Sequence, residues 1–296
     1  MTGTARLILV SLSLGMVPAE GADPPRKAEA LLANERPLVI AHRGFSAAAP
    51  ENTIPSFRLA LTAAADLVEL DYHLSADGVP IVIHDADLDR ATDAVKRWGG
   101  AKIRADSKRA DELRGLDAGS WFDPRFAGTR LPLLTEALDA IQASGVTLIE
   151  RKAGPAAGCV ELLRKRGLVN EVVVQAFDWA YLRDFHSLEP DQVLGALGPP
   201  NARDGRELTD EEKRLDSKWI EEARGTGARL VVWNKLVDRA AVGEAHRRKL
   251  KVWIYTVNDP VLAGQMLDLG ADGIITDNPA LIWKTIALRG MERTKR

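Results

Sequence analysis

The chain has 296 residues, 46% of them hydrophobic and 28% charged, with a formal net charge of −2. That length and apolar share can bury a large core, and α/β barrels reach this size as one domain. The near-neutral balance gives no field that would gather a nucleic-acid backbone, and the single cysteine, Cys159, excludes an intramolecular disulfide or a cysteine-based metal site.

Residues 1–6 carry one arginine, and residues 7–17 form an apolar run too short to span a bilayer. Small residues follow, suited to cleavage after Ala19 or Ala22. Residues 1–22 are therefore predicted to be a secretory signal peptide, placing the mature protein in the periplasm or outside the cell. No later segment reaches transmembrane length, so no stable membrane insertion is expected.

From residue 37 onward, short β-branched runs alternate with helical stretches. The runs are 37–42, 67–74, 79–84, 147–152, 171–177, 192–197, 229–233, 251–257 and 273–276. Several are apolar on both faces, as strands of a buried parallel sheet are. Helical segments fall between most of them, at 54–64, 135–144, 156–166 and 260–269. This repetition predicts a (β/α)8 TIM barrel over residues 37–290 rather than an open doubly wound sheet. No GxGxxG or GxxxxGK[ST] segment points to a nucleotide.

Nine runs are one more than the barrel uses. The surplus is explained by Ser75-Ala76-Asp77-Gly78, a turn too short for a crossover helix. Runs 67–74 and 79–84 should then form a hairpin whose paired residue numbers sum to about 155 by simple register, setting His84 opposite Asp71. Residues 85–130 read as a polar insertion after the second barrel strand, long for a loop and in that respect like functional excursions.

On run 67–74, alternation puts Glu69, Asp71 and His73 on one face. Two carboxylates spaced this way on a buried strand repel each other and lose hydration. Only a cation, or protonation of one of them, makes the arrangement reasonable. Glu150 and Lys152 repeat the spacing, and in a barrel both pairs converge at the C-terminal mouth. Glu69, Asp71 and Glu150 are all oxygen donors, which suits one hard divalent cation, Mg2+ or Ca2+. His42 and His84 each end a run, where an imidazole near a metal can serve as general acid or base. His73 reads as support; His186 and His246, in polar helical contexts, read as solvated. Arg43 and Lys152 add two cations to the same mouth, which makes sense if an anion such as a phosphodiester binds there.

In order along the chain, His42-Arg43-Gly44, Pro50-Glu51-Asn52-Thr53, Glu69-x-Asp71, Asp77-Gly78, His84-Asp85, Glu150-x-Lys152 and Asp272-Gly273-Ile274-Ile275-Thr276-Asp277-Asn278-Pro279 resemble the glycerophosphodiester phosphodiesterase family. The resemblance runs from about residue 38 to 285. It implies a TIM barrel with an insertion after the second strand, a divalent metal on Glu69, Asp71 and Glu150, an acid–base pair in His42 and His84, and phosphate contacts from Arg43 and Lys152. It further implies hydrolysis of small glycerophosphodiesters to glycerol 3-phosphate and an alcohol, through a cyclic phosphate. Gln175 and Tyr255 fall at substrate positions, with departures. Gln175-Ala176-Phe177 lacks the serine the family carries after its Gln, and Tyr255 stands where the family has Trp. Arg151, aliphatic in the family, should face away from the pocket.

Two other readings stay open. Relatives on the same fold cleave intact lipids and would benefit from exposed apolar loops, for which the insertion offers only Trp98, Ile103, Trp121, Phe122 and Phe126. A non-catalytic phosphodiester-binding protein would be expected to have lost a His or a carboxylate, and none is lost. Neither the head group nor the oligomeric state is written in the sequence.

Overall fold

The computed structural model describes residues 27–293 except 204, so the signal peptide expected over 1–22 lies outside the described residues. The elements run α1 (Lys27–Leu32), β1 (Leu38–Ala41), α2 (Ile54–Thr62), β2 (Leu67–Leu74), β3 (Pro80–Val82), α3 (Ala94–Trp98), α4 (Ala110–Leu113), α5 (Leu134–Gln142), β4 (Val146–Arg151), α6 (Ala156–Lys165), β5 (Val173–Ala176) and α7 (Trp179–Leu188). They continue as β6 (Val193–Leu197), β7 (Ala202–Arg203), β8 (Arg206–Glu207), α8 (Ser217–Arg224), β9 (Leu230–Trp233), α9 (Arg239–Arg247), β10 (Lys251–Ile254), α10 (Pro260–Leu269), β11 (Gly273–Thr276) and α11 (Pro279–Arg293).

Strands β1, β2, β4, β5, β6, β9, β10 and β11 pair in parallel in that order, and β11 returns to β1, with Leu38 opposite Gly273 and Ala41 opposite Thr276. The fold is thus the predicted eight-stranded barrel with helices outside it. Strand alternation sorts its residues into two shells. Leu38, Ile40, Leu67, Leu148, Val173, Val232 and Trp253 point inward into one cluster. Val39, Val68, Leu70, Ile149, Val174 and Val231 point outward, against the helices. Ala28 and Leu32 of α1 join the inner cluster and close its N-terminal end. Trp253 fits there because residue 273 is glycine; a Cβ on Gly273 would come within 2.7 Å of the indole.

The inward rows do not stay apolar. Leu67 is followed at every second position by Glu69, Asp71 and His73, and Leu148 by Glu150 and Lys152. The barrel is therefore plugged with hydrocarbon at one end and charged at the other, the end where active sites of this fold lie.

The hairpin forms, with a corrected register. Tyr72 faces Val82, His73 faces Ile81, and Leu74 faces Pro80, so paired numbers sum to 154. Three residues occupy the loop, closed by the Ser75 amide on the Val79 carbonyl and by Gly78 at φ +76°. An odd loop demands an even sum, and the half-residue error flips the pleat. Ile83, not His84, is opposite Asp71, whose carbonyl accepts from the Ile83 amide at 3.1 Å. Ile81 and Ile83 point instead into a separate apolar cluster with Leu88, Leu113, Leu116 and Leu131, which gives the insertion its own small core.

Candidate active site

The three acidic residues singled out from sequence come together. One carboxylate oxygen from each of Glu69, Asp71 and Glu150 lies within 4.8 Å of the others, and all three residues are buried. They converge because β2 and β4 are neighbours in register, Asp71 beside Glu150. Burial and then the negative charges of Asp71 and Glu150 raise the Glu69 carboxyl well above the usual carboxylate range. Burial and Asp71 likewise raise Glu150. Asp71 goes the other way: burial opposes its charge, but Lys152, Arg43 and His84 outweigh that and hold it down at about 2.

The cluster fits a divalent cation by a direct observation. Glu69 Oε2 accepts the Arg43 amide at 2.7 Å, whereas its Oε1 is buried with no hydrogen-bond partner, as is Gln175 Oε1. Buried acceptors are otherwise satisfied, and an all-oxygen donor set of this kind is what a hard cation takes. Arg43 donates that amide from a left-handed conformation, φ 55°, followed by Gly44 at φ 83°. Backbone strain of this sort collects at functional sites.

Around the acids lies a cavity of about 200 Å³ lined by His42, Arg43, Glu69, His84, Glu150, Lys152, Gln175 and Tyr255, with Phe177, Leu197 and Ile275 on an apolar side. All nine residues expected at the site except Asp71 line it; Asp71 lies just beneath. Lys152 pairs with Asp71 at 3.1 Å and with Glu150. Gln175 Nε2 donates to Glu150 Oε2 at 3.3 Å. The Tyr255 hydroxyl donates to the Gly198 carbonyl at 2.9 Å and its ring meets Phe177 edge-on, so the phenol is anchored at the wall rather than presented to the cavity. Arg151 turns outward as expected, pairing with Asp178 at 3.0 Å and stacking on Tyr181.

The histidines are held alike. His42 Nδ1 lies 2.6 Å from Asp277 Oδ1, and His84 Nδ1 lies 2.6 Å from Asp85 Oδ1. Asp277 is itself fixed by Ser46 at 3.0 Å and Asn258 at 2.6 Å. Burial would raise its carboxyl, but the contacts of His42, Asn258 and Ser46 bring it down to about 2. Burial lowers the His84 imidazole, against the opposing pull of Asp71. Each ring is thereby oriented by a carboxylate on one nitrogen, leaving Nε2 for proton exchange. His73 supports from below, its Nε2 3.1 Å from the His84 carbonyl. Of the two remote histidines, His246 is exposed as expected, whereas His186 is only partly so. His246 Nε2 binds Asp272 at 2.8 Å, and His186 packs on Gly227 with its Nδ1 buried and unpartnered.

Several residues had no role in the sequence reading. Asn52, at φ 57°, clasps Asp71 from both sides, its Nδ2 donating to Oδ2 at 2.8 Å and its Oδ1 accepting the Asp71 amide at 3.1 Å. Glu51 takes the Arg43 guanidinium at 2.9 Å. Arg90, from the insertion, binds both Glu51 oxygens and Asp85. Glu51, Asn52, Asp85 and Asp277 sit inside the motif segments and were findable there; Arg90 gives no local signal.

Comparison with known proteins agrees with the geometry. The model of the glycerophosphoryl diester phosphodiesterase family matches residues 42–281. The chain belongs to this family. A glycerophosphodiester phosphodiesterase of Bacillus subtilis is 30% identical over 302 residues, covering 94% of this chain and 96% of that protein. One from Caldanaerobacter subterraneus is 30% identical over 255 residues, 82% of this chain and 94% of its own. Among solved structures, a phosphodiesterase of Oleispira antarctica in complex with the product sn-glycerol-3-phosphate is 27% identical, with a TM-score of 0.74 over 88% of this chain and 99% of that one. Among the described residues, no helix is long and apolar enough to cross a membrane.

Proposed function

We propose that this protein hydrolyses small glycerophosphodiesters to glycerol 3-phosphate and an alcohol. The observation that carries the reading is the pairing of two carboxylate-oriented imidazoles, His42 and His84, on one cavity with the Glu69–Asp71–Glu150 cluster. Glu69, Asp71 and Glu150 would hold a single Mg2+ or Ca2+. When bound, that ion offsets negative charge on the phosphate and lowers the pKa of a coordinated hydroxyl.

The chain's own residues do the rest. Arg43 and Lys152 are the two cations on the cavity, and a phosphate oxygen entering it meets both. One imidazole accepts the proton of the glycerol hydroxyl next to the ester, which attacks phosphorus to form a cyclic phosphate. The other protonates the departing alcohol, and water then opens the ring with the roles reversed. Leu197 and Ile275, both buried, give the cavity an apolar wall on one side. Export by the residue 1–22 segment would place this reaction outside the cytoplasm.

Turnover of glycerophosphocholine, with and without EDTA, tests the reading directly. Release of glycerol 3-phosphate that EDTA abolishes and Mg2+ or Ca2+ restores is expected. Full activity in EDTA would remove the metal from the mechanism, and activity on phospholipid vesicles alone would assign the barrel to intact lipids.

A further inference from the structure

A cavity larger than the one over the acids lies away from the mouth, on the outer wall of the barrel. It measures about 680 Å³ and is walled by α2, α5 and residues 129–132, where the insertion returns. That size falls within the range of about 300–1,000 Å³ typical of small-molecule sites. None of its lining residues borders the active-site cavity.

The lining has two textures. Ile54, Pro55, Leu131, Pro132 and Ala140 supply an apolar part, with Leu131 and Pro132 buried. Four charged side chains edge it: Arg58, Arg130, Glu136 and Asp139. The two acids are already paired. Glu136 holds the Arg114 guanidinium with one oxygen and the Leu133 amide, at 2.9 Å, with the other. Asp139 holds Arg166. Neither the Arg58 nor the Arg130 guanidinium has a hydrogen-bond or ionic partner among the described residues. The charge left over for a ligand is therefore positive, and it sits beside hydrocarbon.

Two guanidiniums favour the paired oxygens of a carboxylate or phosphate. Glu136 and Asp139 on the same rim disfavour a second negative charge. A monoanion with an apolar body answers both parts of the lining. The proposed reaction names a source for one. A glycerophosphodiester is what remains of a phospholipid after both acyl esters are hydrolysed, and each acyl chain leaves as a carboxylate. Ester hydrolysis that supplies the substrate thus releases such a monoanion beside it.

Resting on the proposed diesterase activity for that source alone, we infer that the outer groove is a second binding site, and that it takes a single-chain carboxylate of the fatty-acid class. The carboxylate meets Arg58 and Arg130, and the chain lies along Leu131, Pro132 and Ala140.

Calorimetric titration of the protein with decanoate tests this. Saturable binding is expected, and an excess of glycerol 3-phosphate, the proposed product at the mouth, should not displace it. Arg58→Gln combined with Arg130→Gln should weaken decanoate by about tenfold or more, the scale of lost charge-assisted hydrogen bonds. Both arginines are exposed, so the fold is not at risk, and glycerophosphocholine turnover should be unchanged. Ala140→Trp fills the apolar part and should weaken decanoate too. Decanol, without the charge, should bind the wild type no more tightly than decanoate binds the double variant. Equal decanoate affinity in wild type and double variant, at unchanged thermal midpoint, would overturn the assignment. So would displacement by glycerol 3-phosphate, or no binding at all. A protein that binds decanoate in this way and cleaves no glycerophosphodiester overturns the diesterase reading and leaves the groove standing.

Discussion

The Arg90 guanidinium spans the two halves of the site: it donates to both oxygens of Glu51 at 2.9 and 2.7 Å. Its Nε donates to Asp85 at 2.6 Å. Glu51 in turn holds Arg43, and Asp85 holds His84. One side chain from the insertion thus sets the direction of the Arg43 guanidinium and the His84 imidazole together. Arg90→Met is expected to lower kcat/KM by about 10–100-fold, the usual effect of losing a partner that orients a site residue. The loss should be less than additive with that of Asp85→Asn, since the second change removes what the first acts through. Purely additive effects would show that Arg90 does not act through Asp85.

His42→Ala and His84→Ala are each expected to cost at least about 100-fold in kcat, the lower end for general acid–base catalysis. Circular dichroism should not change, because both rings are partly exposed and neither belongs to an apolar cluster. Asp277→Asn should give an intermediate loss by releasing the His42 ring. Near-normal turnover by either alanine variant would sink the acid–base assignment.

Divalent cation and pH should act on stability in opposition. Without metal, Glu69 has a folded-state pKa raised by burial and by its acidic neighbours. A raised carboxyl binds its proton more tightly when folded, so its contribution is fully present below the unfolded value of 4.5 and is lost as pH rises through the folded value. In EDTA the thermal midpoint should therefore climb as pH falls from neutrality toward 5. Saturating Mg2+ or Ca2+ should raise the midpoint most at neutral pH, by about 2.7 kcal/mol of stability at a hundredfold excess over Kd. Differential scanning calorimetry at several pH values checks both; a metal-independent midpoint would argue against the site.

Gly44→Ala should destabilise the β1–α2 loop. Gly44 sits at φ +83°, and a Cβ there would lie 2.4 Å from Ser56 Oγ and 2.7 Å from its carbonyl carbon. A strained residue of this kind costs about 1–3 kcal/mol, and the clash with backbone adds to it. Urea unfolding reads the stability loss. Weaker metal binding is expected alongside it, because the loop carries the Arg43 amide bound to Glu69.

Much of this site was legible before folding because strand alternation is local. Once residues 67–74 read as a strand, Glu69 and Asp71 had to share a face, and the same rule placed Glu150 with Lys152. What failed was arithmetic over a turn. The hairpin sum of 154 turns on a loop of three residues, which the composition Ser-Ala-Asp-Gly does not fix. His84 nevertheless reaches the cavity, since β3 ends at Val82 and the pleat no longer dictates where residue 84 points.

By itself, the sequence determined the alternation of strand and helix, the inward rows of acids and the polar ends of the runs, because periodicity is a property of neighbours in the chain. Only the tertiary structure decided that Asp277 would orient His42 across 235 positions, that Arg90 would join Glu51 to Asp85, and that Arg58 and Arg130 would edge one groove. Those relationships depend on barrel closure, which brings β11 back to β1, and on a packed insertion. Closure is a property of the whole sheet, and no window of the chain carries it.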